Sequence, residues 1–133
     1  MKPPVSANPA GWSATATGAP RAVIVEPEDS VRRSLQLMLQ GLRFAVRSFG
    51  GVALANAYAR DAHVLLLAEG VFDIGGRALL SVLRESQWQG RAILVAGSPR
   101  TALAESADSA GFAAVLAKPV GRLDLLSALA KRF

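Results

Sequence analysis

The sequence has no cysteine, a single histidine and no long apolar run. Without cysteine there are no disulfides, no thiolate nucleophile and no cysteine-bound metal. One histidine, His63, excludes a histidine-rich metal site and a catalytic centre built on two histidines. No apolar run approaches the ~18 residues that a membrane span requires, and the amino terminus lacks the apolar core of a secretory signal. We therefore expect a soluble, cytoplasmic protein that has no membrane partner.

Acidic residues are also fewer than basic ones. The chain has ten Asp and Glu and fifteen Lys and Arg, which gives a net charge of +5. Twelve of the fifteen basic residues are arginine, and among them only Arg32 and Arg33 are adjacent. Nucleic-acid binders concentrate their basic residues on one face or one helix. The scattered arginines thus favour a solvated basic surface over a nucleic-acid partner.

The chain divides by composition near residue 20. Residues 1–20 contain four of the seven prolines together with Ala, Ser, Thr and Gly, and they show no hydrophobic periodicity. This composition predicts a flexible tail. The remaining residues, 21–133, carry enough apolar side chains for one domain with a buried core.

Within residues 21–133, short apolar runs alternate with segments of helical periodicity. The predicted strands are 22–25, 44–48, 63–67, 92–95 and 113–116. The predicted helices are 31–42, capped by Asp29 or Ser30, then 52–60, 78–86, 101–110, ended by Gly111, and roughly 122–132. This alternation predicts an α/β fold, in which a doubly wound parallel sheet has right-handed crossovers and helices on both faces.

In such a sheet, ligands bind beyond the carboxyl ends of the strands. The residues at these places are therefore the informative ones. They are Glu26, Pro27 and Glu28; Ala68 and Glu69; Ala96, Gly97 and Ser98; and Ala117, Lys118 and Pro119.

Four segments resemble, in order, the receiver domain of bacterial two-component response regulators. They read "AVIVEPEDSVRRSLQLML", "HVLLLAEGVFDIGG", "AILVAGS" and "GFAAVLAKPV", and the resemblance covers residues 21–133. The most specific feature is the Lys118-Pro119 pair after the fifth strand. The resemblance implies a five-stranded, flavodoxin-like sheet of order 2-1-3-4-5 and a place in phosphorelay signal transduction.

The family transfers a phosphoryl group to an aspartate at the end of the third strand. Mg²⁺ held by an acidic pair neutralises the phosphoryl oxygens, assisted by a lysine, a hydroxyl after the fourth strand and an aromatic residue on the fifth. Here Ala68 falls on the nucleophile and Ala96 on the hydroxyl. Val115 falls on the aromatic position, and Glu26 and Pro27 fall on the acidic pair.

Lys118, Pro119 and, in part, Glu26 are what remains of this machinery. The resemblance therefore implies a pseudo-receiver that is not an enzyme and needs no cofactor. We expect at most weak Mg²⁺ binding, with Glu26 as the candidate ligand. A phosphoacceptor response regulator that uses Asp73 or Glu69 is the alternative, which is disfavoured because positioning dominates phosphoryl transfer.

A lysine at the sheet edge needs an anionic partner when it is withdrawn from water. In the expected strand order, we predict a Glu26–Lys118 ion pair, with Glu69 as a second acceptor. The alternative is that the Lys118 ammonium group reaches solvent and makes no ion pair. The resemblance also implies a cis Lys118–Pro119 bond. Whether a small molecule occupies the remnant pocket of Glu26, Pro27, Glu69, Lys118 and Pro119 stays open.

The resemblance further implies protein partners, namely a histidine kinase, a phosphotransfer protein or an output protein. Family members use the first helix toward kinases, and the fourth helix, fifth strand and last helix toward outputs and dimers. The candidate contact residues are Arg32, Arg33, Thr101, Leu103, Arg122 and Leu125. The sequence leaves open a homodimer, and also whether the chain acts alone or belongs to a larger hybrid kinase.

Overall fold

The computed structural model describes residues 18–130. The strands are β1 (Arg21–Val25), β2 (Ala45–Phe49), β3 (Val64–Ala68), β4 (Arg91–Ala96) and β5 (Ala114–Ala117). The helices are α1 (Asp29–Gly41), α2 (Val52–Ala59), α3 (Arg77–Glu85), α4 (Ala102–Glu105), α5 (Ala107–Ala110) and α6 (Arg122–Ala130). A 3-10 turn (Glu69–Val71) and a π turn (Phe72–Gly76) join β3 to α3. The predicted tail, apart from residues 18–20, and the predicted helix end at 131–132 lie outside the described residues.

The five strands form one parallel sheet of order β2-β1-β3-β4-β5, which confirms the predicted fold class. At the centre, Val25 of β1 pairs with Leu67 of β3, and Leu67 pairs with Leu94 of β4. All strands therefore end at the same edge of the sheet. No helix within residues 18–130 is long and apolar enough to cross a membrane.

Helices cover both faces of the sheet, so the central strands are buried except at Arg21 and Arg91, which open β1 and β4, and otherwise read as continuous apolar runs. Ile24 and Leu66 face the side covered by α1 and α6, where Leu35 completes the packing. Leu65 and Leu94 alternate onto the other side, against α2, α3 and the short helices. The period of two along each strand divides the core into these two layers.

Two helices depart from the prediction beyond shifts of one or two residues at their ends. The residue that caps α1 is Glu28, and no side chain makes a capping hydrogen bond there, so the assignment of Asp29 or Ser30 as the cap was wrong. The helix predicted over residues 101–110 is divided at Ser106 into α4 and α5. The Ser106 hydroxyl donates to the carbonyls of Ala102 and Leu103, at 3.0 and 3.3 Å, and such back-bonding bends helices.

Helices α1, α3 and α5 end in the same Schellman motif, in which a residue of positive φ is followed by a six-to-one backbone hydrogen bond. Gly111 occupies this position after α5, as predicted, with φ of 104°. Arg43 and Gln87 occupy it after α1 and α3, with φ of 74° and 61°. The bonds that close these two turns run from Phe44 N–H to Leu39 O and from Trp88 N–H to Leu83 O.

Arginine side chains connect separate elements through backbone carbonyls. Arg21 Nε donates to the carbonyl of Asp61 at 2.7 Å, which ties β1 to the segment before β3. Arg84 donates to the carbonyl of Gly111, and Arg91 donates to that of Leu129. These bonds hold α3 to the end of α5, and β4 to α6.

Candidate functional site

The carboxyl edge of the sheet brings together most of the residues that the sequence singled out. Ala68 is the last residue of β3 rather than the first of the loop, and it is 2% exposed. It pairs with Val95 of β4, and β4 ends on the fully buried Ala96. The Lys118 N–H donates to the Ala96 carbonyl at 2.9 Å. Two methyl groups therefore end the two strands at the middle of this edge.

Glu26 and Lys118 form the predicted ion pair across this edge. The Lys118 Nζ lies 3.0 Å from Glu26 Oε1. Glu26 is 2% exposed, whereas the Lys118 side chain is 28% exposed. The Lys118–Pro119 bond is cis, as the resemblance implied. The prediction of a pair is thus confirmed over that of a lysine free in solvent.

The pair spans the width of two strands, because β3 and β4 lie between β1 and β5. Glu26 Oε2 accepts a hydrogen bond from the Glu28 N–H at 3.0 Å. Oε1 is buried without a hydrogen bond, so the ammonium group at ion-pair distance is what compensates its charge. The site is consequently held together by its own two charges.

Arg32 of α1 belongs to this site in a role that sequence reasoning missed. Its Nη1 donates to the carbonyl of Glu26 at 2.8 Å, and its Nη2 pairs with the Asp29 carboxylate. The guanidinium group therefore clamps the loop that carries Glu26. The Asp29–Arg32 spacing was the available signal, since residues three apart are neighbours on a helix.

Glu69 does not serve as the predicted second acceptor for Lys118. Its Oε1 instead accepts a long hydrogen bond, 3.5 Å, from the N–H of Gly97. Among residues 18–130, the carboxylate within ion-pair distance of Lys118 is that of Glu26. The 3-10 turn begins at Glu69 itself and directs this side chain toward the β4–α4 loop.

The residues at this edge do not fit a Mg²⁺ ion, which prefers several oxygen ligands in octahedral geometry. Pro27 offers no side-chain oxygen. Lys118 already lies against Oε1, the Glu26 oxygen that accepts no hydrogen bond. Within the described part of the chain, no three His, Asp or Glu side chains cluster in a way that would hold a metal. No step through a bound metal follows from this geometry.

The alternative acceptor, Asp73, lies in the π turn before α3. Its side chain is 85% exposed, and its Oδ1 pairs with the Arg77 guanidinium at 3.2 Å. Val115, at the position of the family's aromatic residue, is half-buried against the core. Neither residue belongs to the Glu26–Lys118 pair.

The predicted partner-contact residues divide into outward and inward groups. Arg33 and Arg122 are exposed. Thr101 instead caps α4, because its Oγ1 accepts from the Ala104 N–H at 3.1 Å, and Leu103 packs against the core. Leu125 is fully buried, so its assignment as a contact residue was wrong.

The assignment of Leu125 failed because apolar residues follow one another on α6 and the sequence does not show which of them faces the sheet. The two that face outward are Leu123, 80% exposed, and Leu126, 39% exposed. Together with Arg122 they form what we call the α6 patch.

Solved structures of receiver domains share this fold. The chain aligns with a CheY-like response regulator receiver domain protein from Methanospirillum hungatei JF-1 at a TM-score of 0.70 and 22% identity, over 84% of this chain and 90% of that one. The signal receiver domain of an HD domain-containing protein from Pseudomonas fluorescens Pf-5 aligns at a TM-score of 0.68 and 23% identity, over 84% and 91%. A response regulator receiver domain protein from Clostridium thermocellum aligns at 0.70 and 16%, over 83% and 90%.

No protein-family model matches the sequence, and no curated protein matches it. The identities to the solved structures are low, so the likeness establishes the fold and leaves the function to be argued from the site.

Proposed function

We propose that this chain is a pseudo-receiver, a signalling module that binds a protein partner without being phosphorylated on aspartate. The observation that carries the proposal is the closed Glu26–Lys118 pair beside Ala68 and Ala96. A methyl group accepts no phosphoryl group, and the lysine that would meet a phosphate already has an anionic partner. The likeness to receiver domains supports the signalling role.

In this proposal the domain catalyses no reaction and holds no cofactor. Its partner is a histidine kinase, a phosphotransfer protein or an output protein, or a second copy of the chain. The α6 patch is the contact surface we favour, because Leu123 and Leu126 present apolar side chains to water beside a cation. The α1 face is a second such surface, because Leu37 is exposed there on the same helix as Arg33.

The test is incubation of the full chain with acetyl phosphate and Mg²⁺, followed by intact-mass spectrometry. We expect no gain of a phosphoryl group. A stable gain that Asp73→Ala or Glu69→Gln abolishes would establish the alternative, a response regulator with a non-standard acceptor. Asp108→Asn is the matched control, since this exposed carboxylate lies in α5, away from both candidate acceptors.

A further inference from the structure

A groove lies along the amino-terminal edge of the sheet, the edge opposite the Glu26–Lys118 pair. Its volume is about 650 Å³, within the range of roughly 300–1,000 Å³ that is typical of small-molecule pockets. The residues that precede or open β1, β3 and β4 line it, together with the loop after α3 and one residue of α6. Nothing in the proposed signalling role uses this groove.

The groove carries an excess of positive charge. Arg21, Arg60 and Arg91 line it, and the carboxylate among its lining residues is that of Asp61. In the described part of the chain, no carboxylate lies within ion-pair distance of any of these three guanidinium groups. Burial and the charge of Arg21 also lower the pKa of His63, which lines the same groove. An anionic ligand is what this electrostatic field favours.

Backbone hydrogen bonds hold the groove's side chains in place before any ligand arrives. Arg21 and Arg91 each donate one N–H to a carbonyl, those of Asp61 and Leu129. A guanidinium group has five N–H donors, so most of them stay available. Trp88 Nε1 donates to the Ala62 carbonyl at 2.8 Å, which fixes the indole ring. Such preorganisation lowers the entropic cost of binding.

The lining also has an apolar part beside the cations, formed by Phe44, Val64, Trp88 and Leu129. Guanidinium groups match the oxygens of phosphate, whereas aromatic side chains favour a planar ring. We propose that the groove binds a nucleotide, with its phosphates on Arg21, Arg60 and Arg91 and its base against Trp88. Residues 1–17, which precede the groove residue Pro20 in the sequence, contain no Asp or Glu, so their composition does not complement this charge.

Isothermal titration of the full chain with ATP, without Mg²⁺, tests this proposal. We expect one saturable site, and a Kd raised about tenfold in Arg60→Gln or in Arg91→Gln, because each substitution removes charge-assisted hydrogen bonds. Arg60 is exposed at the end of α2, so Arg60→Gln should fold normally. This variant keeps the test valid if Arg91→Gln, which loses the bond to the Leu129 carbonyl, disturbs α6. Arg100→Gln is the matched control, since it removes the same charge from the opposite edge of the sheet.

Adenosine and tripolyphosphate, titrated separately, distinguish the two parts of the ligand. We expect no heat with adenosine and weaker binding of tripolyphosphate than of ATP. The absence of ATP binding at millimolar concentration, or an equal loss in Arg100→Gln, would overturn the site. Tripolyphosphate bound as tightly as ATP would overturn the assignment to a nucleotide. Because the groove and the Glu26–Lys118 pair lie at opposite edges, none of these outcomes bears on the proposed function.

Discussion

Glu26 and Lys118 show how one residue's environment determines what its neighbours can do. A carboxylate that is 2% exposed is costly to bury unless a cation compensates it. The ammonium group of Lys118 provides that compensation at 3.0 Å. The two alanines at the ends of β3 and β4 leave room for the lysine to cross the edge of the sheet.

Lys118→Met should lower the free energy of unfolding by about 2 kcal/mol, below the full cost of breaking a buried pair because Lys118 is partly exposed. Glu26→Gln in the Lys118→Met background should recover part of that loss, since it removes the stranded charge. Urea unfolding of the native chain, the two single variants and the double variant gives the coupling energy. Losses that simply add would show that the pair contributes nothing as a pair.

Ala68→Asp should not by itself confer rapid phosphorylation, because Pro27 and Ala96 still lack the oxygens that would bind a metal and a phosphoryl group. The new carboxylate would instead compete with Glu26 for Lys118. Intact-mass spectrometry with acetyl phosphate, with and without Mg²⁺, checks this prediction. Fast labelling that depends on Mg²⁺ would mean that the remaining site is more complete than we infer.

His63 should make the fold slightly less stable in acid. Its folded-state pKa lies below the ordinary value of 6.5, first because of burial and then because of the charge of Arg21. Its Nδ1 also accepts a hydrogen bond from the backbone N–H of Arg21 at 2.9 Å, and only the unprotonated nitrogen can accept it. The unfolded chain therefore binds the proton more readily. This contribution is complete above pH 6.5 and is lost as the pH falls through 6.5 toward the lower folded pKa.

Urea midpoints at about pH 8 and about pH 5.5 check this dependence on His63. The native chain should lose more stability between the two pH values than His63→Gln, although the difference is small because His63 is only partly withdrawn from water. Equal losses in both proteins would show that this imidazole does not couple to folding.

Among the elements, the helix ends are where backbone geometry and residue type disagree. Gly111 suits a positive φ, because glycine has no Cβ to clash in that region. Arg43 and Gln87 adopt the same conformation with a side chain attached, which costs on the order of 1 kcal/mol. The hydrogen bonds of the Schellman motif hold them there.

Arg43→Gly should therefore raise the free energy of unfolding by about 0.5 kcal/mol, since relief of strain outweighs the extra freedom of glycine in the unfolded chain. Gly111→Ala should do the opposite and lower it by about 1 kcal/mol. A Cβ at Gly111 would also lie 3.1 Å from the Arg84 guanidinium. Thermal unfolding of both variants tests these two predictions. A loss of stability in Arg43→Gly would refute the explanation by backbone strain.

The sequence predicted the elements that depend on periodicity, and it missed features that depend on side-chain direction. The parallel sheet with helices on both faces followed from apolar runs alternating with helical segments. The strand order followed from the resemblance to receiver domains, and the Glu26–Lys118 pair followed from that order. The role of Arg32 as a clamp, the division of the helix at Ser106 and the inward face of Leu125 did not follow. Each of these depends on rotamers or on hydrogen bonds that form after the sheet and helices have packed.

At the scale of the whole molecule, the parallel sheet separates two kinds of chemistry. All strands run the same way, so the closed ion pair lies at one edge and the basic groove at the other. A ligand or partner at one edge therefore need not disturb the other.

The folded chain should gain no stability from Mg²⁺. A site that bound the ion would add about 2.7 kcal/mol at one hundred times its Kd by mass action, which in a domain of this size raises the melting temperature by several degrees. We expect the same Tm with and without millimolar MgCl₂, with CaCl₂ as the control for non-specific effects of a divalent ion. A rise with Mg²⁺ alone would show that the folded chain does bind the ion, and its loss in Glu26→Gln would place the site at the carboxyl edge.

Bonds from side chains to backbone carbonyls give four of the twelve arginines a structural role in the fold. Arg21, Arg32, Arg84 and Arg91 each reach a carbonyl of another segment with a directional N–H. A lysine ammonium group is a strongly hydrated point charge that lacks this planar geometry. These four arginines therefore help to hold the fold together. A chain with all four changed to lysine would keep its charge but lose these hydrogen bonds between segments.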